Sequence, residues 1–168
     1  IINLLPLEKD EFIRSIVNIE KEDEDTKYLV FATKRGLVKR TEVKEFENIR
    51  SSGKIAILLK EADELINVQK SNGNCEVVIG ASNGRAVRFK ETEIRSMGRN
   101  TSGVKGIDVD GSIVVGMEVI NNPQEQQMLV VTEKGYGKKT NVEEYRLTHR
   151  GSKGVKTLNV TEKNGNLV

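Results

Sequence analysis

Little in this chain suits covalent or metal chemistry. Its 168 residues include one cysteine, Cys75, and one histidine, His149. A lone cysteine excludes an internal disulfide framework and fits a reducing compartment, so Cys75 reads as a structural residue at a strand start. A lone histidine excludes a histidine-based metal cluster and leaves no Cys–His pair beyond a chance meeting with Cys75. Proline stands only at Pro6 and Pro123, and no long stretch keeps a helical period, so short strand-like segments run uninterrupted. No apolar run approaches the ~18 residues that span a bilayer, and no basic leader precedes an apolar stretch at the N-terminus. A chain of this kind is expected neither to cross a membrane nor to be secreted. Its opening at Ile1, inside an apolar run, predicts a piece of a larger polypeptide.

Charge of one sign is also nearly missing in total, since the formal net charge is +2. The distribution is uneven, however. Acidic residues gather between Glu20 and Asp25 and between Glu61 and Glu64, while Lys and Arg gather in Lys34 to Arg40, Arg85 to Lys90 and Lys134 to Lys156. Segregation of this kind creates local positive potential in a nearly neutral protein.

Repetition is what the chain has in quantity. Tyr28-Leu-Val-Phe-Ala-Thr-Lys-Arg-Gly-Leu-Val-Lys-Arg-Thr41, Glu76-Val-Val-Ile-Gly-Ala-Ser-Asn-Gly-Arg-Ala-Val-Arg-Phe89 and Met128-Leu-Val-Val-Thr-Glu-Lys-Gly-Tyr-Gly-Lys-Lys-Thr140 share a pattern of apolar strand, glycine turn and second strand. Their turn glycines, Gly36, Gly84 and Gly135, lie 48 and 51 residues apart. A second element recurs out of phase, where Arg50, Arg99 and Arg150 precede Gly53, Gly103 and Gly154 and then an apolar strand. Phe12-Ile13 repeats Leu65-Ile66 and implies a further, incomplete unit at the N-terminus. A period near fifty residues with short strands predicts an all-β propeller or related radial array. The expected units are 1–52, 53–102, 103–153 and a partial 154–168, an incomplete ring of three to four blades. Phe46, Ile94 and Tyr145 share a register between units and are predicted to plug the core.

Four residues after each turn glycine stands a basic side chain, namely Arg40, Arg88 and Lys139. Equivalent positions of a radial array share one surface, so these three, with Arg50, Arg99 and Arg150, are expected to form a band of like charge. A nucleic-acid duplex neutralises such a band, because it carries one negative charge per ~1.7 Å of axis and releases counterions to Lys and Arg. Catalytic patterns are weak beside this. Gly154-Val-Lys-Thr157 lacks the spacing of a phosphate loop, and Gly135-Tyr-Gly137 lacks the third glycine of a dinucleotide turn. Tyr28, Tyr136 and Tyr145 fall within strand repeats.

Thr33 to Thr41, Ile94 to Ile107, Val131 to Thr140 and Tyr145 to Gly154 together resemble the C-terminal domains of the A-type subunits of bacterial DNA gyrases, over essentially the whole chain. The resemblance implies a β-pinwheel, a propeller-like ring whose blades exchange strands, with duplex DNA wound around a basic rim. It implies backbone-directed contacts by Lys34, Arg35, Lys39, Arg40, Arg50, Lys54, Arg85, Arg88, Arg99, Lys105, Lys134, Lys138, Lys139, Arg150, Lys153 and Lys156. It also implies partnership with the rest of the gyrase A chain and with the ATP-hydrolysing gyrase B chain, in a cytoplasmic heterotetramer that introduces negative supercoils. In a bacterial cytoplasm the sequons at Asn100 and Asn159 carry no weight. No cofactor or metal is expected within this chain, and the catalytic tyrosine is expected outside it. The family's heptapeptide Gln-Arg-Arg-Gly-Gly-Lys-Gly, which sits in the first blade, has no full copy; Thr148 to Gly154 matches four of its seven positions. The first blade is therefore expected to be missing. The A-type subunit of topoisomerase IV is the near alternative, and a protein-docking propeller using the Glu20 to Asp25 run is the distant one.

Overall fold

The computed structural model describes residues 5, 7–20, 25–50 and 52–168. Within them, three glycine-turn hairpins form where the repeats predict. Strands β1 (Tyr28–Thr33) and β2 (Leu37–Glu42), β4 (Glu76–Ala81) and β5 (Arg85–Lys90), and β8 (Gln127–Val131) and β9 (Gly137–Asn141) make the pairs. In each turn the glycine N–H donates to the carbonyl three residues back, from Gly36 to Thr33, Gly84 to Ala81 and Gly135 to Thr132. Each of these glycines has positive φ, which closes a tight hairpin at little steric cost.

The chain then exchanges strands between units. β3 (Leu65–Ser71) lies beside β1, and β6 (Val104–Lys105) beside β2, giving a four-stranded sheet in the order β3-β1-β2-β6. The next sheet repeats the plan as β7-β4-β5-β10, with β7 at Val114–Ile120 and β10 at Val155–Lys156. Every pairing is antiparallel, and both sheets carry a register shift at the same place, between Ala32 and Thr33 and between Gly80 and Ala81. The third sheet holds β8 and β9, and Leu167 bridges Thr132 as Leu65 pairs with Thr33.

Hairpin strands covered on both faces have apolar runs in place of alternation. Val30, Phe31 and Ala32 are buried in succession, as are Val77, Val78 and Ile79. One apolar cluster fills the space between the first two sheets, and a smaller one around Val78, Ala86, Val142 and Tyr145 joins the second to the third. Three short 3-10 helices, Val43–Phe46, Glu91–Glu93 and Val142–Glu144, follow β2, β5 and β9. Beyond them the chain passes the preceding sheet, where Ser96 bridges Arg40 and Leu147 bridges Arg88 in parallel, and then folds back to pair as β6 or β10. Gly103 and Gly154 make that return possible. A Cβ on Gly103 would stand 2.5 Å from the Val38 carbonyl oxygen, and one on Gly154 would stand 2.2 Å from that of Ala86.

Ile94 and Tyr145 plug the core, at 0% and 3% exposed. Phe46 corrects the expectation for the third plug. It is half-buried and packs on Phe31 with ring centroids 6.2 Å apart, because its unit has no preceding hairpin among the described residues to dock on. Cys75 is buried just before β4, with Sγ 2.8 Å from Asn121 Oδ1. Burial pushes its thiol up, in keeping with a structural role.

Candidate nucleic-acid interface

Local structure divides the basic residues into two populations. Three of those expected at a rim turn inward, which corrects the sequence reading. Arg88 is 8% exposed; its Nε donates to Glu76 Oε2 at 2.6 Å, and Nη1 donates to the carbonyls of Val142 and Tyr145 at 3.1 and 2.8 Å. Arg40, in the equivalent place one unit earlier, pairs with fully buried Glu91 at 2.9 Å and lies 4.5 Å from the Tyr28 ring centroid. Ser71 Oγ and the Cys75 N–H complete the Glu91 carboxylate. Both guanidiniums thus join one unit to the helical turn of the next, and their charges are neutralised inside the protein.

Lys39 is fully buried. Its ammonium donates to the carbonyls of Ala56, Arg99 and Thr101, at 2.6, 2.6 and 3.3 Å, and so ties two successive outer loops together. Burial, and next the charge of Arg99, bring it down to about 8.

The second population follows the outer edge. Residues 96–106 run along β2, and residues 147–156 run along β5; Met97, Val104 and Val155 pack inward on the apolar clusters, while the basic side chains of these stretches are half-buried or exposed. Arg99 Nη1 donates to the Ile55 carbonyl at 2.9 Å, and Arg150 Nη1 to the Lys105 carbonyl at 3.0 Å. These are the same contact one unit apart, and they link the three outer loops in series. Lys105, Lys153 and Lys156 are exposed along these loops, while Lys54 is half-buried and donates to the Glu47 carbonyl at 2.5 Å. Lys105 and Lys153 each have an acidic neighbour, Asp108 at 3.8 Å and Asp110 at 2.9 Å. Surface pairs of this kind hold little free energy and exchange readily for another anion.

At the hairpin tips, Lys34 pairs with Glu64 at 2.8 Å, Arg85 donates to the Gly154 carbonyl at 3.1 Å, and Lys134 donates to the Glu162 carbonyl. Arg35, Arg50 and Lys139 are exposed, as is Lys138, which donates to the Thr157 carbonyl at 3.4 Å. Sequence reasoning passed over two exposed arginines, Arg95 and Arg146, each directly after a core plug. Their recurrence next to Ile94 and Tyr145 was the available signal. Among the described residues, no cluster of three or more potential ligands suits a metal ion, and no helix is long and apolar enough to cross a membrane.

Strand-exchanging four-stranded blades that share a core, with a basic outer edge linked loop to loop, define a β-propeller of the pinwheel type. The chain belongs to the DNA gyrase C-terminal domain family, whose β-propeller family model matches residues 27–72, 76–121 and 126–168. It is 48% identical over 169 aligned positions to the A-type subunit of DNA gyrase from Staphylococcus epidermidis, and 45% identical to that of Staphylococcus aureus strain MRSA252. Each alignment covers 100% of this chain, and the chain spans 19% of each relative's length. A solved C-terminal domain of DNA topoisomerase IV superposes with a TM-score of 0.87 at 29% identity, over 99% of this chain and 51% of that one. A DNA gyrase A C-terminal domain does so with a TM-score of 0.82 at 28% identity, over 99% of this chain and 55% of that one.

Proposed function

We propose that this chain binds duplex DNA along its outer edge and bends it, as part of a gyrase A chain whose holoenzyme introduces negative supercoils. The observation that carries the reading is the serial linkage of the basic outer loops through Arg99 and Arg150, which holds like charges at a repeated spacing on one edge. The contacts go to phosphate and are independent of sequence. Bending costs elastic energy, on the order of 1–6 kcal/mol for a 20–30 bp site, and many spaced ion contacts offset it. The chain supplies no chemistry of its own in this scheme. Strand passage belongs to a catalytic tyrosine elsewhere in the gyrase A chain and to ATP hydrolysis on the gyrase B chain, the two assembled as a heterotetramer in the bacterial cytoplasm.

Likeness to the topoisomerase IV domain supports a second reading, in which the same edge steers DNA for decatenation. The acidic docking run falls largely at residues 21–24, outside the described residues.

The test is fluorescence anisotropy on a random duplex, long enough to follow a curved edge, across a salt series. Wild type is compared with a variant carrying Arg95→Glu, Arg146→Glu and Lys156→Glu, three exposed positions. The variant should bind more weakly and lose part of the log–log salt slope, which is roughly 0.9 per phosphate neutralised. Equal affinity and slope in a folded variant would remove this edge from the interface.

A further inference from the structure

On the reading of the outer edge as the duplex-binding surface, we propose that Lys39 is a positioning residue for that edge: without touching DNA, its buried ammonium sets the outer loop that carries Arg99 and Lys105 against the loop before it.

The two junctions between successive outer loops follow one plan with one exchange. At the later junction, the Asp108 N–H donates to the Ser152 carbonyl at 2.8 Å and the Gly151 N–H to the Gly106 carbonyl at 2.6 Å. At the earlier junction, the Leu58 N–H donates to the Thr101 carbonyl at 3.0 Å, which repeats the first of these bonds. Among the described residues the second has no backbone counterpart. Asn100 stands in the place of Gly151 and lacks its positive φ of 83°. The Ala56 carbonyl, in the place of Gly106, accepts from the Lys39 ammonium instead, at 2.6 Å.

Lys39 does more than replace that bond. It also reaches the carbonyls of Arg99 and Thr101, on either side of Asn100. The backbone is thereby fixed at the point from which the Arg99 side chain runs back to the Ile55 carbonyl. In the next unit, where glycine does the joining, Val87 holds the place of Lys39. In the third, Lys138 makes the corresponding contact, to the Thr157 carbonyl at 3.4 Å.

Packing does not account for a lysine here. Lys39 is fully buried with its ammonium 5.4 Å from the Phe31 ring centroid, and burial, then the charge of Arg99, holds it at about 8 in place of 10.5. A fold that disfavours the ammonium loses stability by keeping it, and buried Val87 shows that an apolar side chain suits the equivalent strand position. What the charge supplies is a fixed loop-to-loop distance where the joining glycine is absent. Arg99 then stands to Ile55 as Arg150 stands to Lys105, which keeps the basic groups evenly spaced for a backbone whose charges recur at a regular interval.

Duplex binding by fluorescence anisotropy across a salt series tests this with Lys39→Met, Asn100→Gly and the double variant. Lys39→Met should keep the wild-type circular dichroism and match or exceed its urea midpoint at pH 7. It should nevertheless bind more weakly and lose at least one phosphate's share of the log–log slope, roughly 0.9. Asn100→Gly supplies a glycine that takes up positive φ at little cost, so alone it should bind as wild type does, and the double variant should recover the wild-type slope. From pH 7 to 9, wild type should lose affinity relative to the double variant as the ammonium gives up its proton. Unchanged binding by folded Lys39→Met, no recovery in the double variant, or parallel pH profiles would each overturn the role of Lys39. The DNA reading would survive any of these if the variant carrying Arg95→Glu, Arg146→Glu and Lys156→Glu still bound more weakly. A wild type that binds no duplex would overturn both.

Discussion

At the scale of the residue, a positive charge takes its role from what surrounds it. Arg88 and Lys156 are both basic and lie in adjacent strands, but the first is neutralised by Glu76 and two carbonyls while the second is exposed. Removing one partner of a buried pair strands the other. Arg88→Met should therefore lower unfolding free energy by about 3–5 kcal/mol, read as a lower urea midpoint, while the folded fraction keeps its duplex affinity. An affinity loss without a stability loss would return Arg88 to the interface. Lys39 makes a second prediction. Its value of about 8 in the folded protein lies below the ordinary 10.5, so the unfolded chain holds this proton more tightly than the folded one. The cost of the buried ammonium is therefore full below about pH 8 and fades as pH rises toward 10.5. Thermal unfolding of wild type against Lys39→Met should show wild type gaining between pH 8 and 10. A constant difference would mean that Lys39 does not titrate in that window.

At the scale of the element, the outer strands depend on two glycines. Gly103 and Gly154 take positive φ and press on the carbonyls of Val38 and Ala86. Gly80, in β4, has neither constraint. Gly103→Ala and Gly154→Ala should each cost more than the roughly 1–2 kcal/mol of the left-handed backbone alone, and Gly80→Ala should change stability by about 0.5 kcal/mol or less. Denaturant midpoints of the three variants decide this, and equal midpoints would refute the carbonyl contact.

The same glycines explain what could be read from sequence. Turn and loop glycines mark hairpins and returns at a fixed period, so strand content, repeat length and the basic outer loops were legible. The direction of Arg40 and Arg88 was not. Both faces of β2 and β5 are covered, which erases the alternation that would separate inside from outside, and the covering chain comes from much later in the sequence, Ser96 against Arg40 and Leu147 against Arg88. Phe46 misled for a related reason, since its slot matches those of Ile94 and Tyr145 while its neighbour differs.

At the scale of the whole molecule, the proposed DNA edge is distributed, and no one side chain dominates it. Each of Arg95→Glu, Arg146→Glu and Lys156→Glu alone should give a share of the loss seen in the triple variant, with the shares adding where the sites act independently. A single substitution equal to the triple would point to a localised site. Strand exchange also sets an order of events during synthesis. The first sheet takes its last strand from Val104–Lys105, and the second from Val155–Lys156. A nascent hairpin therefore leaves the ribosome with both flanks bare, and waits, as translation proceeds, for a last strand that belongs to its successor.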